Sequence, residues 1–134
     1  MIVAFRVDGR PTPQGSKIRT RYGMREAGGD NLVLWREAVR SEACEARGDN
    51  LTMGGPLAVQ LAFQLHRPKK PRYKFPIGKN SGDIDKLTRA VFDGLTTSGL
   101  IADDGLMVEA VITKTYAAEG QVPGCDITVR QVDP

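Results

Sequence analysis

The chain has 134 residues, of which 40% are hydrophobic and 26% charged, and this composition suits one soluble domain over residues 1–134 with a modest core. Its two cysteines, Cys44 and Cys125, are too few and too far apart for a disulfide framework or a zinc site, so we expect free thiols. The formal charge of +3 is only mildly basic. Because no apolar run is long enough for a signal peptide or a bilayer span, we expect an intracellular protein.

The first half of the chain predicts a strand, a long loop and a helix. Residues 2–7 are β-branched and aromatic, which favours a strand. Residues 9–30 are rich in glycine, proline and basic side chains and show no period, which predicts a long exposed loop. Apolar side chains at helical spacing predict a helix over residues 31–47, with Asp30 or Asn31 as its N-cap.

The second half predicts three more strands and a second helix. Alternating apolar residues over 57–65 favour a strand with one buried side, and a proline-punctuated basic loop follows over 67–82. The apolar residues of 84–95 recur at helical spacing, while 106–117 and 125–132 favour strands. The order β-α-β-α-β-β indicates a mixed α/β (α+β) fold, with one mixed sheet of about four strands and two helices packed on it.

Basic residues are concentrated in two segments that contain no acid, residues 9–25 and 67–82. Tyr22, Tyr73 and Phe75 lie in these segments and are candidates for stacking on exposed bases, although packing in the core is an equal alternative for Phe75. Purely cationic segments of this kind favour contact with a polyanion. The cations that we expect to contact DNA here are Lys17, Arg19, Arg21, Lys69, Lys70, Arg72, Lys74 and Lys79.

Two pairs of acids flank the second predicted helix. Asp83 and Asp85 begin it, and Asp103 and Asp104 follow it after a short apolar bend that returns the chain past the helix end. We therefore expect carboxylates of the two pairs to converge. Converging carboxylates repel one another, and a hard divalent cation relieves the repulsion, because oxygen ligands with open positions for water and phosphate suit Mg²⁺.

Ordinary structural roles are an alternative for each of these acids. Asp83 can cap the helix, and Asp85 can form a surface ion pair with Arg89 one turn later. Aspartate is also common in turns such as residues 103–104. Other site chemistry is disfavoured, because the EF-hand ligands are missing and a single histidine, His66, supports neither a zinc site nor a catalytic triad.

The stretch GDIDKLTRAVFDGLTTSGLIADDGLMVEAVITK, residues 82–114, resembles the RusA-type Holliday-junction resolvases, endonucleases common in phages and prophages. Their pattern is Asp-x-Asp-(Asn/Lys)-Leu-x-(Lys/Arg)-Ala, then Asp-(Ala/Gly)-Leu, then a glycine and a short run to Asp-Asp. The opening VDGRPTPQGSKIRTR is similar to the N-terminal segment of phage members. The resemblance implies a mixed α/β domain that works as a homodimer on branched DNA, above all four-way junctions, in the cytoplasm of a bacterial host.

The resemblance assigns the metal-binding acids of the family to Asp83, Asp85 and Asp104, with Asp103 as a neighbour. Arg89 stands where relatives often have a catalytically important lysine. Because a guanidinium does not readily give up a proton, we expect Arg89 to stabilise phosphate or transition-state charge. Lys86, which follows the first acidic pair, is a further candidate for a phosphate contact.

The activity implied by the resemblance is Mg²⁺-dependent hydrolysis of phosphodiesters, with Mn²⁺ as the alternative ion, by paired nicks that leave 5′-phosphates. We expect no small-molecule cofactor and no membrane partner. Two alternatives stay open. One is a nuclease for other branched or flapped DNA, and the other is a non-catalytic DNA-binding module whose acids are structural.

Overall fold

The computed structural model describes residues 1–15, 17–26, 28–78 and 81–134, and the side chains at positions 17, 18, 25 and 26 lie outside this description. Its elements follow the predicted order, with a short hairpin added near the start of the chain. In chain order they are β1 (Ile2–Asp8), β2 (Lys17–Thr20), β3 (Gly23–Glu26), α1 (Gly29–Arg47), β4 (Leu57–Leu65), α2 (Ile84–Ser98), a one-turn 3-10 helix (Asp104–Leu106), β5 (Met107–Tyr116) and β6 (Gly124–Gln131).

Four of the strands form one mixed sheet in the order β1-β6-β4-β5, which confirms the predicted fold class. β6 pairs antiparallel with both β1 and β4, whereas β4 and β5 run parallel. Parallel neighbours need a crossover connection, and α2 provides it between β4 and β5. The crossover therefore puts the start of α2 near the end of β4, and the end of α2 near the start of β5.

One hydrophobic core joins both helices to the sheet. Every second residue of β4, from Leu57 to Leu65, is buried in this core, as the alternation predicts. The two helices approach closely where Gly94 of α2 meets Val39 of α1, because a Cβ at Gly94 would lie 2.6 Å from Val39 Cγ1. Glycine at this position therefore lets α2 pack against α1 at short range.

The predicted loop over residues 9–30 is wrong for residues 17–26, which form the β2–β3 hairpin. Its turn is closed by side-chain bonds of Thr20, whose hydroxyl donates to the Gly23 carbonyl at 2.7 Å and accepts from the Tyr22 N–H at 3.2 Å. Each strand has only four residues, and the apolar alternation that identifies a strand does not develop over that length. The sequence signal was therefore limited to Gly23, which directly follows the Arg21-Tyr22 turn.

The predicted N-cap of α1 is also wrong. The N-cap is Gly28, and neither Asp30 nor Asn31 occupies it. The backbone at Gly28 is packed tightly, because a Cβ there would lie 2.7 Å from Leu32 Cβ and 2.8 Å from Thr12 Cγ2. A polar capping side chain would not fit in that space, so tertiary contact with the preceding loop sets this helix start.

Both cysteines are free thiols, as predicted, with Cys44 exposed and Cys125 buried. Burial raises the pKa of the Cys125 thiol to about 12, so this thiol stays protonated at neutral pH. Among the described residues, no helix combines the length and the apolar character that a membrane span needs.

Candidate active site and nucleic-acid interface

The first acidic pair lies at the N-terminal end of α2. Asp83 is the N-cap residue, with extended backbone angles of φ −77° and ψ 142°, but its side chain makes no capping hydrogen bond. Its carboxylate is exposed and lies 3.9 Å from the Lys86 ammonium. Asp85 is exposed in the first turn. The capping interpretation of Asp83 is therefore wrong at the level of the side chain, and both carboxylates face solvent at the positive end of the helix dipole.

Lys114 of β5 holds the backbone that leads into this helix end. Its ammonium donates to the Gly82 carbonyl at 2.8 Å and lies 3.4 Å from Ser81 Oγ. Gly82 has a φ of +88°, which a residue with a side chain would adopt only under strain, and it directly precedes Asp83. Sequence reasoning missed Lys114. No local signal was available, because its position opposite the buried Phe63 follows from the register of β5 on β4.

The loop after β1 is docked on the same helix. The Gln14 N–H donates to the Lys86 carbonyl at 3.0 Å, and the Gln14 side-chain amide donates to the Asp93 carboxylate. The Arg36 guanidinium of α1 donates to Gln14 Oε1 at 3.1 Å. Gln14 therefore connects both helices to a segment that the sequence predicted to be an exposed loop, and this connection is a second feature that sequence reasoning missed.

Arg89 lies one turn along α2 from Asp85 and packs against the same docked loop. A Cβ built on Gly15 would lie 3.2 Å from Arg89 Cζ, so the guanidinium, the movable end of this side chain, crosses the loop closely at Gly15. Gly15 also has a φ of +100°. No ion pair joins Arg89 to Asp85 in the described part of the chain. The predicted surface ion pair is therefore wrong, and the exposed guanidinium lies one turn from the acidic helix end.

The second acidic pair is anchored elsewhere. Asp103 and Asp104 are exposed at the start of the 3-10 helix that leads into β5. The chain just before them is tied to Met53, which donates to the Leu100 carbonyl at 2.8 Å and accepts from the Ala102 N–H at 3.1 Å. Met53 lies four residues before β4 begins. Asp103 and Asp104 therefore lie at the end of the sheet where the parallel strands β4 and β5 begin.

The two acidic pairs lie at opposite ends of α2. Lys114, which holds the Asp83 end, pairs in register with Phe63 near the end of β4, whereas Met107, just after the second pair, is opposite Leu57 at its start. α2 has 15 residues, so about 22 Å of helix axis separates the pairs at a rise of 1.5 Å per residue. The expected convergence within one chain is wrong, and residues 1–15, 17–26, 28–78 and 81–134 contain no group of three metal-ligating side chains.

The individual acids nevertheless suit a hard cation. Within the described residues, the carboxylates of Asp85, Asp103 and Asp104 make no hydrogen bond or ion pair, so their oxygens are open as ligands. Two oxygen-bearing side chains at one helix end provide part of the coordination that Mg²⁺ accepts, and water and phosphate oxygens commonly provide the rest. The donor chemistry therefore fits a divalent metal, while one chain alone does not bring three donors together.

The described cations of the two basic segments are exposed, although Pro11 and Thr12 of the first segment are buried. Lys86, which lies outside these segments, is half-buried beside Asp83. The Lys17 side chain and all of Lys79 lie outside the described residues. The exposed cations of the predicted DNA-binding set are Arg19, Arg21, Lys69, Lys70, Arg72 and Lys74.

Open carboxylates, an exposed guanidinium one turn along the same helix and exposed cations on one α+β domain define a class of protein, a nuclease that acts on a polyanion. The model of the family described as endodeoxyribonuclease RusA matches residues 8–130, so the chain belongs to the RusA family of endodeoxyribonucleases. It is 26% identical over 101 residues to the crossover junction endodeoxyribonuclease rusA of Enterobacteria phage 82, a match covering 75% of this chain and 77% of that protein. The predicted family and the predicted enzyme class are confirmed.

Proposed function

We propose that this protein resolves four-way DNA junctions as a homodimer, using a divalent metal to make paired, symmetrical nicks that leave 5′-phosphates. The name of the phage 82 relative, a crossover junction endodeoxyribonuclease, supports this substrate. The symmetry of junction cleavage supports the dimer, because two opposing strands must be cut and a two-fold axis supplies two identical sites.

One observation carries the arrangement of the proposed site, namely the separation of the two acidic pairs along α2. Carboxylates at opposite ends of a helix cannot share an ion within one chain. In a two-fold dimer, however, the Asp83 end of one copy can face the Asp104 end of the other. Each dimer would then contain two composite sites, each made of Asp83 and Asp85 from one chain and Asp104 from its partner, with Asp103 beside it.

A bound divalent cation, Mg²⁺ in the first place or Mn²⁺, would activate a water and neutralise charge on the scissile phosphate. The side chains of this protein supply the rest. Arg89 provides a positive charge for phosphate oxygens near the start of α2, and the positive end of the helix dipole attracts the same anion. Lys114 fixes the turn at Gly82 and so positions the carboxylates that follow it.

The composite site is tested by mixing two inactive variants, Asp85→Asn and Asp104→Asn, on a synthetic four-way junction with Mg²⁺. In a mixed dimer one site would carry both lesions, but the other would carry none, so nicking should return. The returning product should be a single nick per junction, because only one site per mixed dimer is intact. A mixture of Asp83→Asn with Asp85→Asn is the matched control, because both lesions affect the same end of α2 and no site is restored.

Continued inactivity of the Asp85→Asn and Asp104→Asn mixture, after subunit exchange has been verified, would contradict the composite site. The substrate is tested separately with the unmodified protein on four-way, three-way, flapped and linear DNA of shared sequence. We expect the four-way junction to be cut fastest. Equal cutting of flaps would replace the proposed substrate with branched DNA in general.

A further inference from the structure

The basic segment between β4 and α2 exposes three large apolar side chains. Tyr73, Phe75 and Ile77 are 45%, 50% and 63% exposed, so none of them is a core residue. The buried residue of this stretch is Pro76. The Ile77 N–H donates to the Phe75 carbonyl at 2.9 Å, which closes a three-residue turn around the proline and leaves the side chains on either side of it in solvent.

Each exposed ring of this stretch has a cation beside it. Arg72 Cζ lies 5.5 Å from the centre of the Tyr73 ring, and Lys74 Nζ lies 5.6 Å from the centre of the Phe75 ring. Residues 67–82 contain no acid, so every charged side chain of this segment is positive. Alternating cations and exposed aromatic rings match a ligand that offers phosphates and flat apolar faces together, which is the chemistry of a nucleic acid with accessible bases.

The turn that carries the rings lies near the chain that leads into α2. A cavity of about 400 Å³ separates the basic segment from the end of β5, and its lining includes Pro76, Ser81 and Tyr116. Ser81 is two residues before Asp83 and lies 3.4 Å from the Lys114 ammonium that holds this helix end. The aromatic turn and the Asp83 end of α2 are therefore neighbours across one cavity.

We infer that Tyr73 and Phe75 form a stacking surface for bases that are unpaired or splayed at the branch point of the DNA, with Arg72 and Lys74 on the adjacent phosphates. This inference rests on the proposed function and adds the source of its shape selectivity. The bases of a continuous duplex are stacked on each other and give the rings no partner, whereas cations bind the phosphates of any DNA. The rings therefore discriminate a junction from a duplex, whereas the neighbouring cations do not.

The test compares binding of a four-way junction and a duplex of the same sequence by fluorescence anisotropy in EDTA, so that no strand is cut. The double variant Tyr73→Ala/Phe75→Ala should bind the junction about tenfold more weakly or worse, while its duplex affinity stays within about twofold of the parent. Replacing both rings by tryptophan should preserve the junction preference. Leu51→Ala, at another exposed apolar position, is the matched control and should change neither affinity.

A second pair of measurements separates stacking from charge. Lys69→Gln/Lys70→Gln should weaken junction and duplex alike and reduce the salt dependence by about two units of log-log slope, whereas the alanine variant of the rings should leave the slope unchanged. With 2-aminopurine at the branch point, the unmodified protein should alter the fluorescence of the probe and the alanine variant should not.

Equal losses on junction and duplex for the ring variant, or no loss on either, would overturn the inference. The same holds if the unmodified protein shows no preference for the junction. A protein that prefers the junction through these rings but never nicks it with Mg²⁺ or Mn²⁺ would leave the stacking surface in place and refute the proposed function instead.

Discussion

The two ends of α2 present similar exposed aspartates but are held by different forces. At the N-terminal end, polar groups reach in from distant elements, with Lys114 bonded to the Gly82 carbonyl and Gln14 bonded to the Lys86 carbonyl. At the C-terminal end, the chain before the acids is held by burial, because Leu100 and Ile101 are almost completely inaccessible to solvent.

Because of this difference, we expect substitutions at the two ends of α2 to have different effects. Lys114 holds the backbone just before Asp83, so loss of its ammonium should affect the position of the Asp83 carboxylate more than the stability of the whole domain. The turn before Asp104 is part of the core, so a cavity there should affect the stability of the whole domain. The following predictions test this contrast, from the largest expected effect to the smallest.

Asp85→Asn and Asp104→Asn should slow cleavage of a four-way junction by about 100-fold or more each, because each removes a carboxylate that supports transition-state charge in the proposed composite site. Single-turnover cleavage at saturating Mg²⁺ measures this loss, and anisotropy in EDTA should show nearly unchanged binding. Asp49→Asn, at an exposed site beyond the end of α1, is the control and should cut normally. Cleavage by either site variant within a few fold of the parent would remove that aspartate from the site.

Ile101→Ala should lower the free energy of unfolding by about 3 kcal/mol, because it empties a buried volume that the surroundings fill only in part. Urea denaturation measures this loss. Val108→Ala, at an exposed position of β5, is the matched control and should cost little. A loss below about 1 kcal/mol would show that burial does not hold the Asp104 end.

Arg89→Ala should cost about 2 kcal/mol of transition-state stabilisation, comparable to the removal of one preorganised donor, whereas Arg89→Lys should keep most of the activity because the charge is retained. Single-turnover rates for the three proteins at saturating Mg²⁺ decide this. Equal rates for the parent and Arg89→Ala would exclude Arg89 from the site. A severe defect in Arg89→Lys would instead show that the planar fork of the guanidinium is required.

Lys114→Met should lower the free energy of unfolding by only about 1–2 kcal/mol, because the lost hydrogen bonds are half-exposed, but it should speed amide hydrogen exchange in the first turn of α2. Ser98→Ala is the matched control at the other end, where the Ser98 hydroxyl accepts from the Leu100 N–H at 3.0 Å. That control should speed exchange around Leu100 and leave the first turn protected. Equal exchange profiles for the two variants would remove the distinction between the helix ends.

The sequence by itself determined most of the elements, and it supplied the candidate site residues that the proposals above use. Local periodicity is sufficient for this, because alternation over 57–65 and helical spacing over 84–95 report which side of an element is buried. The prediction failed where the local signal was short or overridden. The hairpin over 17–26 has four-residue strands, and the close packing of Gly28 against Thr12 of the preceding loop displaced the expected N-cap.

Only the tertiary structure decided which functional groups lie near one another. Asp83 and Asp104 are 21 positions apart in the sequence, and the short bend between helix and strand suggested that they meet. The parallel pairing of β4 with β5 prevents this, because a parallel crossover sends the chain back along the full length of α2 before the next strand begins. Strand pairing depends on contacts between distant parts of the chain, and a local sequence pattern does not reveal these contacts. The contact of Lys114 with Gly82 depends on the same pairing, since the register of β5 on β4 brings the lysine to the start of α2.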